Sequence, residues 1–582
     1  MYRYSVRKRW RRRLFVFACV LVMSFILMLY LNGERTLPIV KNGRANAIII
    51  IPPDAEKQTI QAANVLAEYV KKATKATLLV KSGKELSKSE QVMNHILVGY
   101  TGNVPDRKIL NGLQEMDDDG FVIITENKKI TIVGPTTWGT QYGVFEFLER
   151  YVGVSWLLPG PNGEDVPESQ NLSIPFGMVK QEPAYLSRVL YGLDTKIFLD
   201  QDNSLSYLWG ERNRLHQRIS GYHHNLWRLF LPAKGTSTEN YPITNPEFYP
   251  LRNGNRFIPD SQTNWQPCFS EPSTIKTAID SITDYFKLHP EETTFSLAIN
   301  DNGGFCEEEP DHPNNPLRKN SIGEPDMSHI YYAWVNKVVE GVLKQYPDKW
   351  FGLLAYGAVN DPPSFKLNPR VIPYFTKDRM SWIDSQVRTK DQNAIEAWTE
   401  VTQQMAYYDY VYGSFYSIPR FYPHQLSEYL KYGNEHGVIA YFGELMPNWG
   451  EGPKAWILAK LLWNPNQDVD KLLQFWYERA VGVDAAPYLE SYYDLWEQFW
   501  TTRIKDTPWF QKGKDMTYLN FNDKSYLEAV SQQYLKESRI LLELVIEKTK
   551  TPQEKSRAAL ILKEYENYEV LVRSYTTNSD SK

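Results

Sequence analysis

Five stretches of this chain end in residues that can donate, accept or relay protons. Gln217–His223 runs into His223-His224-Asn225, and Thr294–Asn300 into Asn300-Asp301. FGLLA runs into Tyr356-Gly357, and Tyr408–Tyr412 into Gly413. The fifth, VIAYF, ends in Gly443-Glu444, with Pro447-Asn448-Trp449 just beyond. Asp301 and Glu444 are the carboxylates of this set. Two carboxyl groups facing across a gap can protonate a leaving oxygen on one side and act as base or nucleophile on the other, the chemistry of glycosidic bond cleavage. Tyr356, Tyr412 and Trp449 would give flat faces and phenol or indole donors to a sugar, and His223, His224 and Asn300 further hydrogen bonds. Neighbours on a strand point to opposite faces, so one of His223 and His224 is expected to line a pocket and the other to pack below it. Plainer readings stand beside these. Asn300-Asp301-Asn302-Gly303-Gly304 is ordinary turn chemistry, and Glu444 suits a salt bridge at a loop base.

What must position these groups is a set of strands that deliver their C-terminal ends to one mouth. Candidate strands are Tyr185–Tyr191, Gln217–His223, Gln266–Phe269, Thr294–Asn300, Phe351–Tyr356, Val371–Phe375, Tyr408–Tyr412 and Val438–Phe442. Helical patterns such as Ser273–Leu288 and Ser328–Gln345 separate several of them. About eight strands alternating with helices predict an α/β chain built on a TIM-like (β/α)8 barrel, whose site lies at the strand C-termini. A doubly wound open sheet is the alternative. In the barrel the fourth and eighth strands lie across the mouth, which places Asp301 opposite Glu444.

A small α+β domain is expected before the barrel. ANAIIII reads as a buried strand, Asp54–Lys72 as a helix capped by Asp54, and FVIIT with ITIVG as a hairpin. GPTTWGT lies between a strand and a helix but lacks the lysine and glycine spacing of a phosphate loop, so it reads as a tight turn. After Trp449 the spacing turns helical, as in KAWILAKLLW and DKLLQFWYERAV. The expected division is residues 1–13 a basic tip, 14–31 a transmembrane anchor, 32–44 a linker, 45–178 the α+β domain, 179–450 the barrel and 451–582 a helical domain.

Charge and cysteine usage bound the partners. Arg3, Arg7, Lys8, Arg9, Arg11, Arg12 and Arg13 precede any acidic residue, yet the whole chain carries a net charge of −4. The body is therefore acidic, which argues against nucleic acid. Leu14–Leu31 is an unbroken apolar run of bilayer-spanning length, with its basic flank on the cytoplasmic side. It predicts a single-pass protein with an extracellular body, the alternative being secretion after signal cleavage. Of three cysteines, Cys19 falls in that run, and Cys268 and Cys306 can pair. No metal-ligand spacing occurs and no cofactor is implied. Arg212, Arg214 and Arg218 would suit a uronate carboxylate, or ordinary surface pairs. Glu307-Glu308-Glu309 reads as a solvated loop face. Seventeen Trp, 38 Tyr and 25 Phe suit large cores and saccharide grooves alike.

QAANVLAEYV, HILVGY, DGFVIIT and GTQYGVFEFLERYVGVSW resemble the N-terminal domain of family 67 α-glucuronidases, a domain shared with β-hexosaminidases. QPCFS, FSLAINDNGGFCEE, GLLAYG and GELMPNWG followed by AKLLWNP resemble the bacterial domain-of-unknown-function 4838 family. The resemblance implies an exported, carbohydrate-active barrel protein. It departs from the families at two points. Only Cys306 stands where members carry a cysteine-rich stretch, and Asn300-Asp301 replaces the Asp-Glu pair of the hexosaminidases, so a substrate-assisted mechanism does not carry over. The expectation is a membrane-anchored extracellular glycoside hydrolase using Asp301 and Glu444 on a uronic-acid- or hexosamine-bearing saccharide. A non-catalytic carbohydrate-binding protein and a polysaccharide lyase are the alternatives.

Overall fold

Runs of β-branched residues set the first sheet, and adjacent aromatic pairs, Tyr374-Phe375, Tyr407-Tyr408 and Tyr441-Phe442, mark the central strands of the second. The computed structural model describes residues 35–100, 112–193, 203–230, 244–259, 264–301, 303–307, 309 and 318–579. The basic tip and the Leu14–Leu31 run lie outside them. No helix among the described residues is long and apolar enough to cross a membrane. The chain divides into two units, Met1–Val154 with Val166–Glu182, and Ser155–Asp165 with Pro183–Lys582.

In the first unit a six-stranded mixed sheet is built around Ala47–Ile51, Asn94–Val98 and Lys129–Val133, which pair in parallel. Its Ile48, Ile49, Ile96, Ile130 and Ile132 are buried. Helix Lys57–Thr74 begins after Glu56, which makes no side-chain cap; Asp54 is not the cap residue. Three backbones meet at the GPTTWGT turn. A Cβ at Gly139 would fall 2.1 Å from the Gly120 carbonyl oxygen, and one at Gly134 would fall 2.6 Å from the same atom. The glycines serve close packing, and the Thr136 side chain caps the following helix by accepting from the Gly139 amide. The expected linker is structured in part. Thr36–Lys41 is a strand paired with Leu172–Pro175 because Leu37 and Ile39 bury on one face, and the register slips between Pro38 and Val40.

The second unit carries a curled sheet of six parallel strands. They are β1 (Ser187–Tyr191), β2 (Thr294–Ser296), β3 (Trp350–Ala355), β4 (Val371–Lys377), β5 (Met405–Asp409) and β6 (Val438–Glu444). Their spatial order is β1-β6-β5-β4-β3-β2, so the first and last strands are neighbours. Helices Pro272–Leu288, Ser328–Leu343, Ser385–Thr399 and Pro423–Glu435 connect them, and Lys454–Trp463, Val469–Val481, Ala486–Thr501, Gln532–Lys548 and Pro552–Ser579 follow.

Two of the eight expected strands are absent, so the sheet is a half-barrel where a full (β/α)8 ring was expected. Gln217–His223 and Gln266–Phe269 are irregular. The first fails as a strand because side chains, not a backbone ladder, hold it. Ser187 Oγ accepts from the amides of Arg218 and Ile219, and Thr294 Oγ1 from those of Ser220 and Gly221. The Ala298 carbonyl accepts from Asn225 and Leu226. This segment therefore spans from β1 to β2, where the sheet is open. A side chain at Gly221 would collide with the Phe295 backbone, 2.6 Å away. Gln266 is likewise tied through its side chain, which bonds both the amide and the carbonyl of Asn300.

Candidate active site

Alternation along β6 points Phe442 and Glu444 to the same face. Phe442 packs among Tyr222, Tyr408 and His223, with ring centroids 5.3, 4.6 and 4.9 Å away. Glu444, the last residue of β6, stands at the end of this aromatic layer. Both of its oxygens are occupied: Tyr408 donates its hydroxyl to Oε1 and Tyr412 donates to Oε2. Burial first, and the charge of Glu444 second, push both phenols far above their ordinary value. They therefore stay protonated and act as donors.

The run YYDYVYG places Tyr408, Tyr410 and Tyr412 two residues apart, and a buried cation holds the backbone of each. Arg379 donates to the Tyr408 carbonyl at 3.2 Å, Arg420 to that of Tyr410 at 2.5 Å, and Lys454 to that of Tyr412 at 3.2 Å. The cations are held in turn by carboxylates. Asp378 chelates Arg420 through both oxygens at 2.8 and 2.7 Å, and Glu451 accepts from Lys454 at 3.1 and 3.0 Å. Glu451 also accepts from the Arg420 amide, and Asp409 from the Arg379 amide. The loop beyond Glu444 is fixed as well, since Met446 donates to the Tyr191 carbonyl of β1 and Gly413 to the Leu445 carbonyl.

Asp301 lies five residues beyond the last residue of β2, and its side chain is 65% exposed. Tyr356, just past β3, donates its hydroxyl to Asp301 Oδ1 at 3.1 Å. His224 Nε2 is 3.7 Å from the same oxygen, too long for a hydrogen bond. The other ring nitrogen, Nδ1, is 2.5 Å from the Ile299 carbonyl, so in the neutral ring it carries the proton and Nε2 is the acceptor. Burial, and then Asp301, raise the Tyr356 phenol well above its usual range. Tyr410 links the two carboxylates: burial raises its phenol first, and the charges of Glu444 and Asp301 both add to the shift. It packs on Tyr408, Tyr412 and Tyr518 at 5.5, 5.6 and 5.1 Å.

Neither histidine is buried below the mouth: His223 is exposed and His224 partly exposed, because the segment that bears them is a turn and strand alternation does not apply. His223 is open to solvent on one side and crowded by protein on the others. That enclosure, and next the neighbouring His224, lower its imidazole to about 4. Asn300 does not reach the mouth. It is 0% exposed, accepts from the Trp227 amide and donates to the Trp265 carbonyl, so it fastens the loop that carries Asp301. Trp449, partly exposed, packs edge-on against Trp209 at 5.7 Å.

The arginines sit at the other end of β1. Arg212 pairs with Glu164 at 2.8 Å, Arg214 is buried over the Trp463 ring, and the Arg218 amide bonds Ser187, the first residue of β1. Glu309 is buried, so the acidic run is not a wholly solvated face; Glu308 and Asn302 lie outside the described residues. Cys268 and Cys306 form a disulfide with Cα atoms 5.4 Å apart. Among the described residues no group of three or more His, Cys, Asp or Glu could hold a metal ion.

A cavity of about 770 Å³ opens beside Asp301 and Tyr356. Its far wall is a segment that sequence reasoning left out of the site, with Trp509, Lys512, Tyr518 and Asn520 lining it. The one signal in the sequence was local: KDMTYLNFND alternates aromatic and amide residues between two helical stretches.

A curled parallel sheet with a carboxylate-bearing mouth defines the class, a half-barrel α/β protein. Residues 158–494 match the family described as a domain of unknown function, DUF4838, and the chain belongs to it. Residues 43–147 match the glycosyl hydrolase family 67 N-terminus. No curated protein matches the chain. Among solved structures it is similar to a family GH115 4-O-methyl-alpha-glucuronidase, BtGH115A, with specificity for decorated arabinogalactans. Identity is 14% and the TM-score 0.53, over 92% of this chain and 73% of that one. The Streptomyces plicatus N-acetyl-beta-hexosaminidase matches at 13% identity and a TM-score of 0.41, over 77% of this chain and 92% of that one. The Flavobacterium johnsoniae chitobiase matches at 11% and 0.41, over 94% and 92%. At 14% identity the likeness to the glucuronidase is one of fold.

Proposed function

We propose that this chain is a glycoside hydrolase acting on a poly- or oligosaccharide, held at the outer face of a cell membrane by Leu14–Leu31. One observation supports the catalytic reading: Asp301 and Glu444 come from opposite parts of the curled sheet, and each accepts tyrosine hydroxyls, from Tyr356 at Asp301 and from Tyr408 and Tyr412 at Glu444. Glu444, with two phenols donating to it, is the group that carries negative charge toward a positive anomeric carbon, as base or nucleophile. Asp301, the accessible carboxyl, is its acid–base partner on the side of the leaving oxygen. His223, neutral above about pH 4, and His224 hydrogen-bond sugar hydroxyls.

Uronic-acid- and hexosamine-bearing saccharides are the first substrates to test, on the resemblance of the N-terminal region and the fold shared with the glucuronidase. The Cys268–Cys306 bond supports an oxidising, exported location. A lyase using a tyrosine base is disfavoured, because burial and the neighbouring carboxylates keep Tyr356, Tyr408 and Tyr412 protonated. Product analysis of the full chain on both saccharide classes tests the reading. New reducing ends without an ultraviolet-absorbing unsaturated sugar support hydrolysis, and an unsaturated product overturns it.

A further inference from the structure

Beyond helix Pro508–Gly513 the chain returns over the mouth and is pinned there. Thr517 accepts from the Asp378 amide at 2.8 Å, and the Leu519 amide donates to the Asp378 carboxylate at 3.2 Å. Tyr416 donates its hydroxyl to the Leu519 carbonyl at 3.0 Å, and Lys377 donates to the Met516 carbonyl at 2.8 Å. Leu519 is buried beneath these bonds, while Met516 and Tyr518 stay 61% and 36% exposed. Phe415, on the loop after β5, is 37% exposed beside them.

The aromatic rings form a row. Phe521 stacks on Phe415 at 4.7 Å and 25°, and on Tyr518 at 6.0 Å and 26°. The row stands directly on the tyrosines of the carboxylate site. Tyr412 is 5.0 Å from both Phe415 and Phe521, and Tyr410 is 5.1 Å from Tyr518. Tyr518 also lines the cavity, whose polar lining includes Lys512, Asn520, Asn522 and Asp301. Partly exposed, nearly parallel apolar faces on a rigid mount, edged by amides and an ammonium, fit a ligand that is apolar on one face and hydroxylated at its rim. A pyranose ring has that character.

We propose that Phe415, Tyr518 and Phe521 form a saccharide-stacking subsite that takes a sugar unit beyond the two carboxylates. Its place next to a cleaved bond rests on the hydrolase reading; sugar binding by the row does not. The test uses the full chain in a detergent without a sugar headgroup, carrying Glu444→Gln so that the probe survives. An array of defined two- to six-unit oligosaccharides selects the probe, and calorimetry measures it. Phe415→Leu and Tyr518→Leu keep an apolar side chain and remove the flat face. Each is expected to weaken binding of the longer oligosaccharides by about 3- to 10-fold. Phe415→Tyr and Tyr518→Phe keep the face and should bind within about twofold of the parent, which separates stacking from misfolding. Equal binding by the leucine variants, or no saccharide bound by the parent, overturns the subsite. Hydrolysis that survives Glu444→Gln would overturn the catalytic reading and leave the subsite standing.

Discussion

The proposed role of Glu444 rests on two hydroxyls, those of Tyr408 and Tyr412. Replacing Tyr412 with Phe leaves the ring stack and removes one donor from a carboxylate that must bear charge in the transition state. A hydrogen bond to a charged group contributes about 1.5–3 kcal/mol, so kcat/KM on a cleaved saccharide should fall about 10- to 100-fold. An unchanged kcat/KM would mean that this bond is not used. A second residue gives a pH signature unrelated to catalysis. His424 bonds Glu497 at 2.8 Å and Asp470 at 2.9 Å, and the Glu497 hydrogen bond, opposed by desolvation, leads the rise of its imidazole to about 9. With the folded value above the unfolded 6.5, its contribution is fully present below about pH 6.5 and is lost as pH rises through about 9. His424→Gln should therefore lower Tm at pH 6 and leave it nearly unchanged at pH 10. Equal losses at both would contradict the assignment.

Between elements, what was legible in the sequence was what each strand carries on its own. VIAYFGE shows β6 and its terminal carboxylate, and FGLLAY shows β3 and Tyr356. The segment from Gln217 was misread because its bonds run to the hydroxyls of Ser187 and Thr294, which no local pattern shows. The wall around Tyr518 was hidden for the same reason, since Leu519 is tied to Asp378 across 141 residues. The loop bearing Asp301 has a covalent tie nearby, from Cys306 to Cys268. Changing both cysteines to Ser should cost about 2–4 kcal/mol in denaturant unfolding, by restoring freedom to the unfolded chain. No change in the midpoint would mean that the bond does not form in the folded protein.

For the whole molecule, the proposal is an exported body held by an anchor at Leu14–Leu31, a run outside the described residues. It predicts that protease added to intact cells digests the body while a tag at the N-terminus stays protected. A body protected until the cells are lysed would place it on the other side of the membrane. Turnover by the full chain decides whether the two carboxylates at the mouth cleave a saccharide. The parent is compared with Asp301→Asn and Glu444→Gln on the uronic-acid- or hexosamine-bearing oligosaccharide that it cleaves. Both substitutions change only a carboxyl to an amide, and each should reduce kcat by more than about 100-fold with the fold intact. Parent and variants that bind one sugar equally while none cleaves any would contradict the account, and the mouth would then be a receptor for carbohydrate.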